Sequence, residues 1–405
     1  MSVSATAQRL RLFLVGTEFF RSGGIQQVNR LLLRAWLEFS ARSWAEVETF
    51  SLADAPEEPA ADWVPGVSWR WHGMARHGRA LVQRLAARVA AARPQVVLLT
   101  HVNLLPLLPL VRAMFPRTRV AVLGHGVEVW RRLPGPMRAA LRRADAVVAP
   151  SAYTARQLQS LNGARRDRLT VIAHGLDPSW EACAAARTLT GQEGATLLTV
   201  ARLSTADVYK GVDRVIAALP AVLRQFPQAR LVIAGDGDDR ARLERAAAQT
   251  GAGGRVEFRG ETTEEALRAL YAACDLFVLP SRKEGFGLVF AEAMACGKPV
   301  VAARAGGTTD VVEHGVTGLL VSGEGDELAQ AVTCLLRDPE MRARLGAAGR
   351  ARVMQRFLFR HFSERWTDWL ARLLPEAFYL SRHAAVYAAP TPERAAKPEE
   401  AHASA

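Results

Sequence analysis

Glu284 and Glu292 stand with seven residues between them, in a stretch that runs from Ser281 to Pro299. Ahead of it the apolar run Leu276-Phe277-Val278-Leu279 reads as a buried strand that ends at Pro280. Glu284 then falls in a turn with Gly285, Phe286 and Gly287, and Glu292 falls on the helix that follows from Leu288; Gly297 and Pro299 stop that helix. Glycines at 285 and 287 let backbone N–H groups approach a ligand where a helix N-terminus carries partial positive charge. A phosphate and a polyol can be held together at such a place. Arg202 and Lys210, the latter followed by Gly211 at the mouth of a helix, offer a forked cation and a point cation to a diphosphate. The plainer reading of the same two residues is a solvated surface pair.

Other candidates also follow strand-like runs. Gly235-Asp236-Gly237 and Gly306-Gly307 are, taken singly, tight turns. Gly23-Gly24 opens the first long helix and is a second anion-ready N-terminus. His125, flanked by Gly124 and Gly126, either donates a hydrogen bond into a cleft or is a structural turn residue. Two fingerprints are missing. Arg240 occupies the place of the third glycine after Gly235, and no glycine-rich turn ends in Gly-Lys-Ser or Gly-Lys-Thr, so dehydrogenase and P-loop chemistry lose support. Asp236-Gly237-Asp238 is the one D-x-D match and is not read as a metal site; neither metal nor cofactor is expected.

These residues need elements to place them. From Arg11-Leu12-Phe13-Leu14-Val15 to Leu169–Ala173, strand-like and helix-like patterns alternate, and a second alternating series runs from Thr196 to Val321. Alternation specifies parallel sheets with helices on both faces: two tandem doubly wound, Rossmann-like α/β domains facing a central cleft. The expected boundaries are 9–178, a linker at 179–194, 195–355, a helix at 356–375 with an aromatic face (Phe362, Trp366, Trp369) that needs a partner surface, and a disordered tail at 388–405. Ligands of open parallel sheets bind beyond the carboxyl ends of the strands, where the candidates lie.

The chain of 405 residues is too long for one ordinary core. Its longest apolar stretch, Val96 to Val111, contains His101, Asn103, Pro106 and Pro109 and does not suit a membrane span; no secretory leader is read at Met1 to Gln8. Cys183, Cys274, Cys296 and Cys334 are far apart, and reduced thiols in a cytoplasmic protein are expected. The net charge of +12 lies wholly in residues 1–178, with 24 Arg, no Lys and 12 acidic residues; the remainder is neutral. Such asymmetry suggests an anionic partner, or reflects an Arg-rich composition. In Trp130-Arg131-Arg132, Arg138 and Arg142-Arg143 one aromatic stands among five arginines, too few rings for an RNA groove, so nucleic acid is not expected. Peripheral docking on an anionic inner membrane face suits the first half better.

The set Gly23-Gly24, His125, Arg202…Lys210-Gly211, Gly235-Asp236-Gly237 and Glu284-x7-Glu292 resembles the family 4 retaining glycosyltransferases of GT-B fold. Glu284 to Pro299 carries the resemblance most specifically, and it covers residues from about 10 to about 374. It implies a hexosyl group transferred from a nucleotide-diphosphate sugar, a UDP- or GDP-sugar, to a hydroxyl acceptor such as a glycan, a small molecule or a lipid-linked group. Arg202 and Lys210 would contact the diphosphate and Glu292 the ribose. Glu284, the backbone of Phe286 to Leu288 and His125 would face the sugar, and Gly23-Gly24 the phosphates or acceptor. The 359–374 helix would cross back to the first domain. His174 stands where relatives often have Asn, which bears on the hinge. Retention through a covalent carboxylate or through same-face attack assisted by the leaving phosphate stays open. A non-catalytic binder of anionic lipid or nucleic acid on a transferase fold is the competing expectation.

Overall fold

The computed structural model describes residues 9–57, 67, 69–183, 194–323 and 326–380. The first unit comprises β1 (Leu10–Gly16), α1 (Gly24–Ala41), β2 (Ala45–Ser51), β3 (Arg70–Gly73), α2 (Gly78–Ala92), β4 (Val96–Leu99), α3 (Leu107–Met114), β5 (Arg119–Leu123), α4 (Gly135–Arg143), β6 (Ala146–Ala149), α5 (Ala152–Asn162) and β7 (Leu169–Val171). Its seven strands are all parallel, in the order β3-β2-β1-β4-β5-β6-β7. Strands β4 and β6 are buried along their whole length, as all-parallel strands covered on both faces must be.

The second unit contains α6 (Ser179–Cys183), β8 (Thr196–Val200), α7 (Val212–Leu223), β9 (Arg230–Ala234), α8 (Arg240–Gln249), β10 (Val256–Gly260), α9 (Glu264–Ala273), β11 (Leu276–Leu279), α10 (Leu288–Ala295), β12 (Val300–Ala303), α11 (Thr308–Val311), β13 (Gly318–Val321), α12 (Glu327–Arg337) and α13 (Pro339–Arg356). Six parallel strands follow the order β10-β9-β8-β11-β12-β13. Strand order reverses between β1 and β4 and between β8 and β11, which opens a crevice above each pair.

The last helix, α14 (Phe359–Leu373), leaves the second unit and joins the core of the first. Phe362, Trp366 and Trp369 are buried there with Leu31 and Leu32 of α1, and burial of a side chain such as Phe362 stabilises by about 1.5–3 kcal/mol. The outgoing and returning chain segments lie side by side: the Leu176 N–H donates to the Phe357 carbonyl at 2.7 Å. Among the described residues no helix is long and apolar enough to cross a membrane.

Three sequence expectations change. Cys183, at the end of α6, is disulfide-bonded to Cys296, just after α10, rather than reduced; the two lie 113 residues apart, and no spacing motif marks them. Ser179 to Cys183, placed in the linker, form α6 because Trp180 is anchored against Tyr271 in the second core; the other linker positions, 184–193, and the proposed tail at 388–405 lie outside the described residues. Strand β3 was missed, since Arg70-Trp71-His72-Gly73 is too short to show a period and gains its place from pairing with β2.

Candidate active site

The crevice between β8 and β11 places the loop after each strand against the other. The β8 loop carries Arg202, Asp207, Tyr209 and Lys210; the β11 loop carries Lys283 and Glu284. Lys210 Nζ donates to Glu284 Oε1 at 2.5 Å, and Glu284 is buried. Arg202 pairs with buried Asp207 at 2.6 Å while its own side chain is 72% exposed and free to turn toward a ligand. Two ammonium groups approach Tyr209: Lys210 and Lys283 each sit 5.7 Å from its ring centroid. Lys283 and Tyr209 escaped the sequence reading. A signal existed, because only Lys210, Lys283, Lys298 and Lys397 are lysine among 52 basic residues, and two of those four meet here.

The glycines of the β11 loop serve close packing and the turn into α10. Gly285 abuts the first unit: a Cβ there would lie 1.9 Å from the His125 carbonyl oxygen. Gly287, at φ 93°, turns the chain into α10. Phe286 is buried between His174 (ring centroids 5.4 Å) and Phe357 (5.4 Å), so its side chain braces the two crossing segments. Leu288 packs against both cores and approaches Gly24, so the N-terminus of α1 faces that of α10. Gly235 and Gly237 back onto the carbonyls of Ala201 and Leu203, and Asp236 pairs with Arg240 toward solvent. This loop supports the Arg202 segment, and among the described residues no hydrogen bond or ion pair joins it to the Lys210–Glu284 pair.

Glu292 is separate from Glu284. It is buried in α10, accepts the Tyr271 hydroxyl at 3.0 Å, and is also hydrogen-bonded by Gln27 of α1. Burial pushes its carboxyl up to about 7, and the two hydrogen bonds only partly offset this. Gln27 also lines a cavity of about 200 Å³ between α1 and α9, with Arg30, Arg34, Asp177 and Glu264. Neither Tyr271 nor Gln27 was foreseen, because their convergence is tertiary.

His125 is buried, not exposed as expected. Its Nε2 lies 2.7 Å from the Thr100 carbonyl oxygen, which only accepts, so Nε2 carries the proton. Nδ1 is left as a bare acceptor, buried without a partner. Burial lowers the ring to about 4 and keeps it neutral. The ring stands near both His101 (6.0 Å) and His174 (5.9 Å), so the hinge histidine packs against the same buried group of rings. Among the described residues no three His, Cys, Asp or Glu side chains converge as metal ligands.

Residues 186–352 match the family Glycosyl transferases group 1, and residues 22–180 match Glycosyltransferase Family 4. The GDP-mannose-dependent alpha-(1-6)-phosphatidylinositol monomannoside mannosyltransferase of Mycobacterium tuberculosis is 34% identical over 62% of this chain and 69% of its own length. Its counterpart from Mycolicibacterium smegmatis is 36% identical over 65% and 72%. Among solved structures, a sucrose-phosphate synthase from Thermosynechococcus elongatus superposes with a TM-score of 0.74 at 23% identity, covering 91% of this chain and all of the other, which shows the fold. The chain belongs to the family 4 glycosyltransferases, retaining hexosyltransferases of GT-B fold.

Proposed function

We propose that the second unit holds a nucleotide-diphosphate hexose and the first unit the hydroxyl acceptor. The observation that carries this reading is the Lys210–Glu284 pair at the β8/β11 crevice. A diphosphate arriving there replaces the carboxylate as the partner of Lys210 and recruits Arg202 from Asp207. Glu284, released, accepts hydrogen bonds from the sugar hydroxyls. As the anomeric C–O bond breaks, negative charge grows on the diphosphate and positive charge on the sugar. Arg202 and Lys210 stabilise the first, and the Glu284 carboxylate the second. The Nδ1 lone pair of His125 accepts a sugar hydroxyl, the reverse of the donor role its sequence setting suggested. Glu292 takes the ribose, exchanging Gln27 for ribose hydroxyls as α1 and α10 part.

The relatives' use of GDP-mannose and of a lipid acceptor makes GDP-mannose the leading donor, and a lipid-linked acceptor at the cytoplasmic face of a membrane the leading arrangement. A thermal-shift and turnover panel of UDP-, GDP- and ADP-sugars tests this, since a ligand of the folded state raises apparent stability by mass action. GDP-mannose should give the largest shift and measurable sugar release. A flat panel without turnover would instead support the non-catalytic binder.

A further inference from the structure

Two of the four cysteines, Cys274 and Cys334, remain thiols, and the other two are joined. The bridge runs from Cys183, the last residue of α6, to Cys296, the residue that ends α10, with 5.3 Å between their Cα atoms. It spans 113 residues of chain, and that stretch contains Arg202, Lys210, Glu284 and Glu292. One covalent bond thus encloses all four of the charged residues proposed to hold the donor.

Both ends of the bridge lead to Glu292. Cys296 lies one helical turn beyond it, and the Cys296 N–H donates to the Glu292 carbonyl at 3.3 Å. At the other end Trp180, one turn before Cys183, is buried edge-on against Tyr271 at 5.5 Å, and the Tyr271 hydroxyl donates to Glu292 at 3.0 Å. With five residues, α6 is too short to stand by itself. Besides the bridge and Trp180 it is held by Arg268, which donates to the Ser179 hydroxyl at 3.0 Å, and by the ion pair of Glu181 with Arg360 of α14. It directly follows the place where the two crossing segments meet, Leu176 beside Phe357. The bridge therefore ties the crossing between the units to the helix that carries Glu292. Cys183 keeps part of its surface open, whereas Cys296 is buried.

We propose that Cys183–Cys296 is a thiol–disulfide exchange site, through which a dithiol reductant sets the affinity for the nucleotide. A thiolate of the dithiol attacks Sγ of Cys183, the more open sulfur; the S–S bond breaks, and Cys296 leaves as a thiolate and takes a proton. The second thiol of the reductant then attacks the mixed disulfide and frees Cys183 as a thiol. Two electrons and two protons pass to the protein, and the dithiol ends as a disulfide. With the bridge open, α6 keeps only its noncovalent holds, and the support that Trp180 and Tyr271 give Glu292 slackens. The ribose end of the site then binds more weakly. Linkage makes this reciprocal: nucleotide protects the bridge from reduction by the same factor. A bridge that served only as a staple would act by restricting the unfolded chain and would not distinguish nucleotide-bound from free protein. The proposal rests on the transferase reading given above, which places the ribose on Glu292.

The test holds the full chain in graded ratios of reduced to oxidised dithiothreitol, with and without GDP, and in parallel with UDP. Thiol labelling after denaturation should count two thiols in the bridged chain and four in the reduced one. Opening the bridge should weaken nucleotide binding roughly fivefold or more, and nucleotide should raise by the same factor the dithiothreitol ratio at which half the bridge is open. Cys183→Ser should bind as the reduced wild type does, whatever the dithiothreitol ratio, while Cys334→Ser should follow the wild type. Should Cys183→Ser fail to fold, the reduced wild type carries the same comparison. Equal nucleotide affinity of the bridged and reduced chains, with a midpoint indifferent to nucleotide, overturns the proposal and leaves the donor reading intact. Binding of neither GDP nor UDP by the bridged chain would overturn the donor reading, and this coupling with it.

Discussion

The two halves of the cleft handle charge in opposite ways. In the second unit the cations at the strand ends already have carboxylate partners, Lys210 with Glu284 and Arg202 with Asp207, which hold the loops in place. In the first unit Arg131, Arg132, Arg138 and Arg142, on and just before α4, have no carboxylate partner among the described residues, while the buried Asn162 side-chain amide hydrogen-bonds the backbone of their loop. A paired site is stable without ligand and must exchange partners to bind.

Breaking the paired side should have the largest effect. Glu284→Gln keeps the shape of the residue but removes the charge proposed to face the sugar, and turnover should fall on the order of a thousandfold, as for loss of one preorganised electrostatic group. The melting temperature should change little, and near-normal turnover would remove Glu284 from the chemistry.

Within the first unit the comparison sharpens between a paired and an unpaired arginine. Glu48 is buried, yet Arg88 and His72 outweigh that burial and bring its carboxyl down to about 2. Arg88→Ala leaves this charge only His72 (3.3 Å) and the more distant Arg70 (3.8 Å) and should destabilise by about 3 kcal/mol or less at neutral pH. The Glu48 contribution is present above the usual carboxylate range and fades as pH falls toward 2, so the wild type and Arg88→Ala should converge in acid. Urea titrations across pH measure the difference; a constant gap would contradict the pairing.

Glu292 should give a smaller effect of opposite sign. Its folded pKa of about 7 exceeds the ordinary 4.5, so the folded state binds more protons between those values and stability falls as pH rises through that window. Glu292→Gln should flatten that slope in melting curves taken without nucleotide. An unchanged slope would mean that the carboxyl is not desolvated.

How far the sequence could be read follows the same division. Glu284, Glu292, Arg202 and Lys210 are legible because a strand, a glycine turn and a helix in succession form a local pattern with fixed spacing. The alternation of strands and helices likewise discloses both sheets. Tyr271 and Gln27 reach Glu292 from separate helices, and Cys183 meets Cys296 across 113 residues; contacts of that kind leave no local period. His125 shows the limit within a single residue. Its flanking glycines suggest exposure, but they let the backbone pack against Gly285 and bury the ring.

The most direct measurement is a calorimetric comparison of a nucleoside with its diphosphate on the wild type, Lys210→Ala and Glu292→Gln. If the diphosphate lies on Lys210 and the ribose on Glu292, Lys210→Ala should weaken the diphosphate roughly tenfold or more and leave the nucleoside untouched. Glu292→Gln should weaken both alike. Unchanged diphosphate affinity in Lys210→Ala would contradict the account.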